Sequence, residues 1–212
     1  MLEMKIGVKT VDFPYSVRLY GVAEDLFDEL TDEDTKAELI DGVMIMHSPA
    51  SLQHENTGNF LGGLMRFYAK AKSLGLMIAS GNGIVHLSTG RKLAPDGFFI
   101  RKERVPSPLP KQFDGAPDLV LEVLSPSNRN DDLIDKRKIY REAGVAEIWF
   151  VDNQHKQIIV DQKQAEGYWE NIVTEGKFTA NAIEGFWINV DWLWQEPLPD
   201  ERTCLQEILS ES

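Results

Sequence analysis

The chain has one cysteine, Cys204, in 212 residues. That excludes an internal disulfide framework and a cysteine-based zinc site. The histidines (His47, His54, His86, His155) show no H-x-x-x-H spacing, so a histidine-based metal motif is missing too. No apolar run approaches the roughly 18 residues of a membrane span. The start, MLEMKIGVKTVDF, lacks the basic flank and apolar core of a secretory signal, which points to the cytoplasm. Internal repeats and low-complexity segments are also lacking, so a single domain over 1–212 is expected.

Basic residues are scarce overall, and the net charge is −12. The scarcity is uneven. Residues 1–60 carry net −8, residues 61–145 carry net +5 and residues 146–212 carry net −9. A basic middle between acidic ends can still present a surface to phosphate. A solvated basic helix and loop with no partner is the competing reading.

The pattern places elements in order. Residues 1–20 read as an irregular or extended arm, and Val22–Leu30 as a short amphipathic helix. In AELIDGVMIMHSP, Asp41-Gly42 sits between two alternating runs, a strong hairpin signal. Ser48-Pro49 then fits the start of a helix, serine capping and proline at the first position. Its apolar stripe runs through Leu61, Leu64, Met65, Tyr68 and Ala71. Short strands follow (LMIAS, GIVHLS, APDGFFIRKE), then a proline-rich loop and the strand DLVLEVLS. NRNDDLIDKRKIYREAG reads as a helix capped by Asn130 or Ser127 and closed by Gly144. Strands AEIWFVD, QIIVDQ and GYWENIV lead to an acidic tail with Phe186, Trp187, Trp192 and Trp194. Strands alternating with helices indicate an α/β fold, a mixed β-sheet core flanked by helices, with extra β-hairpins.

Three acids interrupt apolar frames: Glu38 between Ala37 and Leu39, Asp96 at the head of DGFFI, and Glu122 between Leu121 and Val123. Ionised carboxylates are rarely buried unless paired or metal-bound. Each alone could be a strand-end acid facing solvent. Together they suit a hard cation such as Mg2+, which takes one or two carboxylates plus water and phosphate. A lysine is out of place as well. At about 100° per residue, Lys136 falls within the stripe of Leu133, Ile139, Tyr140 and Ala143, whereas Arg137, Lys138 and Arg141 fall outside it. Its head could snorkel to solvent, or it could meet the acids of the neighbouring strand.

Pro95-Asp96 with Glu122 resembles the metal-dependent PD-(D/E)XK nuclease superfamily. ELIDG, SPASLQHE, APDGFFI, PDLVLEVLSPS and DKRKIYREAGVAEIWFVD, in this order, resemble its Uma-two branch of restriction-endonuclease-like proteins over about residues 24–160. That leaves 161–212 as C-terminal strands and the aromatic tail. One departure is plain: Leu124 stands where the superfamily has its lysine, and Lys136 is the substitute. Of the two PD dipeptides, Asp118 stands roughly 13 Å along the strand from Glu122, at about 3.3 Å per residue, too far for one ion. Asp118 reads instead as a strand-entry residue that could cap the preceding loop.

The resemblance implies a restriction-endonuclease-like fold and a Mg2+-dependent endonuclease acting on nucleic acid, DNA foremost, with Mn2+ as the other candidate ion. Asp96, Glu122 and the Val123 carbonyl would hold the metal. Lys136 would steady the attacking water, and Glu38 would take a second ion or a water. His54, Arg129, Lys138 and Arg141 would line the substrate. Such nucleases often pair as homodimers, and Phe186–Trp194 is either an interface or sheet-edge packing. A catalytically silent binding module is the alternative. A two-carboxylate glycosidase would leave Asp96 and Lys136 unexplained.

Overall fold

The computed structural model describes residues 16–32, 35–47, 49–79, 81, 83–125, 129 and 131–211. In chain order the elements are β1 (Ser16–Tyr20), α1 (Glu24–Leu30), β2 (Ala37–Ile40), β3 (Val43–His47), α2 (Leu52–Ala71), β4 (Gly75–Ile78), β5 (Val85–Ser88), β6 (Arg91–Leu93), β7 (Gly97–Arg101), β8 (Phe113–Asp114), β9 (Leu119–Val123), α3 (Arg137–Ala143), β10 (Glu147–Asp152), β11 (Gln157–Gln164), β12 (Gly167–Val173), β13 (Lys177–Thr179), β14 (Trp187–Asn189) and α4 (Glu201–Ser210). A π-type turn, Asp131–Lys136, leads directly into α3.

The strands form two six-stranded mixed sheets and a two-stranded ribbon among the described residues, the mixed β-sheet core expected. One sheet has the order β1-β3-β2-β6-β5-β8, the other β12-β11-β10-β9-β7-β4. In the second, β9 is central. It pairs parallel with β10 and antiparallel with β7. The parallel pair requires a crossover, and the π-type turn with α3 supplies it.

Period-two alternation in β9 sorts its side chains. Leu119, Leu121 and Val123 join a core with Phe60, Leu64 and Met65 of α2 and with the C-terminal segment. Val120 and Leu124 point the other way, into a core with Ile139, Tyr140, Ile148, Phe150 and Phe98. Glu122 belongs to that second set by parity. In β2, Ala37 and Leu39 pack on Phe27 and Met44, which turns Glu38 to the opposite face. The two sheets therefore aim Glu38 and Glu122 into the space that α3 closes.

The Asp41-Gly42 hairpin forms as the sequence indicates, with Ile40 opposite Val43 and both turn residues at positive φ (48° and 84°). Gly144 ends α3 at φ 84°. Several expectations need correction. The cap of α2 is Ser51, whose side chain accepts the His54 backbone N–H, and the helix starts at Leu52 instead of near Pro49. Ser48 lies outside the described residues, as do Asn130 and Ser127. The segment read as one α-helix after Glu122 is a π-type turn followed by a short α-helix. Residues 16–20 of the arm are extended, one of its two readings, and pair on β3, while residues 1–15 lie outside the described residues. The tail ends in a helix, α4, capped by Asp200. No described helix is long and apolar enough to cross a membrane.

The aromatic tail packs inward. Phe186, Trp187 and Trp192 are buried in the first core, and the Trp187 and Trp192 rings lie 5.6 Å apart. Packing within the chain accounts for these rings, so they do not form the exposed interface that was one reading of this segment.

Candidate active site

Lys136 is the hub of the site. Its Nζ lies 2.9 Å from Glu38 Oε1 and 3.3 Å from Glu122 Oε1. The lysine is 6% exposed, Glu122 3% and Glu38 0%. The buried stripe therefore contains the ammonium because two carboxylates, one from each sheet, receive it. The snorkelling alternative fails here.

Each carboxylate has further partners. Glu38 Oε1 accepts the Ala94 backbone N–H at 3.0 Å, and its Oε2 lies 2.7 Å from His47 Nε2. Burial pushes the Glu38 carboxyl up. Lys136, His47 and the Ala94 N–H outweigh burial and hold it at about 2. Glu122 Oε1 accepts the Tyr140 hydroxyl at 2.7 Å. Burial, with the nearby Glu122 carboxylate, raises the Tyr140 phenol well above 10. Tyr140 thus acts as a hydrogen-bond donor that does not ionise. Lys136 and Tyr140 are four positions apart, across the junction of the π-type turn and α3, and both reach the same oxygen of Glu122.

Asp96 precedes β7. Gly97 pairs with Leu121, so Asp96 falls opposite Glu122, one step further. Its Oδ2 accepts the Val123 backbone N–H at 2.8 Å and lies 3.2 Å from His54 Nε2. Lys36 Nζ is 3.6 Å from Oδ1. Burial raises the Asp96 carboxyl, but His54, Lys36 and the Val123 N–H together bring it below the ordinary carboxylate range. Reciprocally, burial lowers the His54 ring, and the Asp96 and Glu55 carboxylates lift it above its ordinary value. The chain threads the site economically: Ala94 holds Glu38, and Asp96, two residues on, is held by Val123 beside Glu122.

The fold thus brings Glu38, Glu122 and Lys136 together and sets Asp96, Val123 and His54 alongside. The three cations expected at the substrate do not join this cluster. Arg129 Nε donates to Asp152 Oδ2 at 2.9 Å, at the end of β10. Lys138 is exposed and 3.8 Å from Glu142. Arg141, like Arg137, grips the buried Asp161. Asp118 caps the end of β7, accepting the Arg101 N–H at 2.8 Å and pairing with Arg104 at 3.0 Å. The sequence reading missed Tyr140, His47 and Lys36 as neighbours of the acids. Tyr140 belongs to the apolar stripe in the sequence, and neither His47 nor Lys36 is marked there as a neighbour of the acids.

The oxygen donors on Asp96 and Glu122, with the carbonyl of Val123, the residue after Glu122, suit a hard cation. The described residues contain no group of three or more His, Cys, Asp or Glu placed to cage a metal by themselves.

The Uma2 family profile, described as "Putative restriction endonuclease", matches residues 24–191. The chain belongs to the Uma2 family. Among solved structures, a "putative nuclease belonging to DUF820" from Anabaena variabilis ATCC 29413 superposes with a TM-score of 0.70 at 16% identity, covering 82% of this chain and 97% of that one. This likeness supports the restriction-endonuclease-like fold of the Uma2 chain. No curated protein matches it.

Proposed function

We propose that this Uma2 protein is a Mg2+-dependent endonuclease that hydrolyses phosphodiester bonds in nucleic acid, DNA foremost, with Mn2+ as an alternative ion. The observation that carries the reading is the Lys136 ammonium held at 2.9 and 3.3 Å by Glu38 and Glu122, with Asp96 across the strand pair. Asp96, Glu122 and the Val123 carbonyl would hold the ion. When bound, the ion would polarise the scissile phosphate and acidify water. Lys136 would orient the attacking water and offset charge building on phosphate oxygens. Glu38 would hold Lys136 in place and could take a water or a second ion. His54 would fix Asp96, and Tyr140 would fix Glu122. Arg129, near the strand end, and exposed Lys138 would meet flanking phosphates, which position a duplex without reading sequence. Arg141, locked on Asp161, would act mainly by anchoring α3. Cutting both strands calls for two sites, which a homodimer would supply through a face other than the buried tail aromatics.

The test is plasmid cleavage with Mg2+ or Mn2+, comparing wild type with Asp96→Ala and Glu122→Gln. Equal cleavage by all three would indicate a contaminant and end the proposal. One observation favours a silent binding module: Glu38, Asp96 and Glu122 already have cationic partners within the chain. Calorimetric Mg2+ binding that is lost in Glu122→Gln supports the nuclease. No metal binding at any concentration supports the silent module.

A further inference from the structure

The two lysines of the site differ in kind. Lys136 is sealed in, with its side chain 8% exposed and two carboxylates within hydrogen-bonding range. Lys36 touches one carboxylate only loosely. Its Nζ is 3.6 Å from Asp96 Oδ1, beyond a good hydrogen bond, and its side chain is 32% exposed. It comes from the segment entering β2, two residues before Glu38, and is more exposed than Asp96, whose side chain is 12% exposed. His54 occupies the other oxygen, Oδ2.

A glycine keeps this corner open. Gly81 has φ +64°, and its N–H donates to the Asp96 backbone carbonyl at 3.2 Å. A Cβ there would stand 3.2 Å from Lys36 Nζ and 3.6 Å from Asp96 Oδ1. The positive φ favours glycine, and the missing side chain leaves the ammonium room to move. Asp96 Oδ1 therefore faces a loosely held, partly exposed cation.

We propose that Lys36 binds the substrate's scissile or adjoining phosphate, leaving Asp96 as a metal ion arrives. This rests on the nuclease reading and adds a residue to it. A divalent cation on Asp96 repels the ammonium at Oδ1, and the nearest anion then entering from solvent is the phosphodiester. Lys36 accordingly competes with the metal in the empty site and cooperates with substrate in the loaded one.

Substituting Lys36→Gln should therefore move two affinities in opposite directions. Removing the competing charge should tighten Ca2+ binding, read by calorimetry, about fivefold for a pair near 4 Å in water. Losing one phosphate contact should weaken binding of a labelled duplex, read by anisotropy with Ca2+ replacing Mg2+. The salt slope should become shallower by about 0.9, which near 0.1 M salt corresponds to about eightfold weaker binding. Lys36→Arg should keep the wild-type slope. Tighter Ca2+ with an unchanged duplex slope makes Lys36 only a counter-ion and overturns the proposal, with the nuclease reading intact. A wild type that binds no duplex with Ca2+ removes the nuclease reading and Lys36's role with it. The exposed position of Lys36 makes the variants expected to fold, which thermal melts verify.

Discussion

Replacing Lys136 with methionine keeps the length of the side chain and removes the charge that Glu38 and Glu122 share. Two routes give the cost. Glu38 is held at about 2 in the folded chain against an ordinary value of 4.5. At 1.36 kcal/mol per unit that net difference, in which His47 and the Ala94 N–H share with Lys136, is worth about 3 kcal/mol of stability near neutrality. Breaking a buried ion pair by removing one partner costs about 3–5 kcal/mol in other proteins. The two figures overlap, and for a chain of this size about 3 kcal/mol lowers Tm by roughly 6–12 °C. The sign with pH follows from the depression. A carboxyl whose folded pKa lies below its unfolded one contributes fully above about 4.5 and loses that contribution as pH falls towards 2. Urea unfolding of wild type and Lys136→Met should thus show the largest gap near pH 7 and a shrinking gap from pH 4.5 downward. A gap below about 1 kcal/mol at pH 7, or one independent of pH, would mean that the ammonium is not the partner that holds Glu38 ionised.

Other outcomes are expected from the same geometry. Tyr140→Phe removes the 2.7 Å bond to Glu122 Oε1 and should cost about 1.5–3 kcal/mol, the range for a hydrogen bond to a charged group, read by urea midpoint; an unchanged midpoint would count against the bond. Mg2+ at a hundredfold excess over Kd should raise the wild-type Tm through about 2.7 kcal/mol of linkage and should leave Asp96→Ala unmoved in differential scanning calorimetry. Gly97→Ala would put a Cβ 2.8 Å from Met77 Cε and 3.1 Å from the Ile78 carbonyl; a drop in Tm together with weaker Mg2+ binding is expected because Asp96 is the residue next to Gly97.

What the sequence revealed about the site depended on contrast. Glu122 stands out as a charge in an apolar strand, Glu38 likewise, and Lys136 as a charge in an apolar stripe. Lys136 reaches the core even though the backbone around it winds as a π-type turn, so the angular argument survived a change in helix type. Tyr140 gave no contrast, because a tyrosine in an apolar stripe reads as packing. Its function lies in the hydroxyl, which finds Glu122 across the sheet-helix interface. Lys36 meets Asp96 from a segment far away in sequence, and His47 meets Glu38 across the β2–β3 hairpin, and neither contact is encoded by a local period. The second sheet was hidden for a related reason: strands as short as β6 and β8, three and two residues long, give no alternation to count. The α4 start was more accessible. Asp200 accepts the Thr203 N–H at 2.9 Å, the pattern of an N-cap, but the aromatic residues before it drew the reading towards an interface.

Leu124 explains how the lysine could change its place in the chain. It is two residues beyond Glu122 and therefore on the same face of β9, where a lysine would reach the acid along the strand. It is instead 6% exposed and packed with Ile139 and Tyr140. The volume beside Glu122 is thus filled by apolar carbon from the strand, and the charge is supplied by Lys136 from the opposite wall. What the chemistry requires is an ammonium about 3 Å from the carboxylate, a hydrogen-bond distance, and the fold can deliver it from either wall. The helix route also brings Tyr140 to the same oxygen and, through Lys136, ties Glu38 to Glu122 across the two sheets. A lysine at position 124 would extend along β9 and would leave Glu38, at 0% exposure, dependent on His47 and a backbone N–H alone. Moving Lys136's charge back to position 124, as Leu124→Lys with Lys136→Met, should therefore fail to restore the stability lost in Lys136→Met.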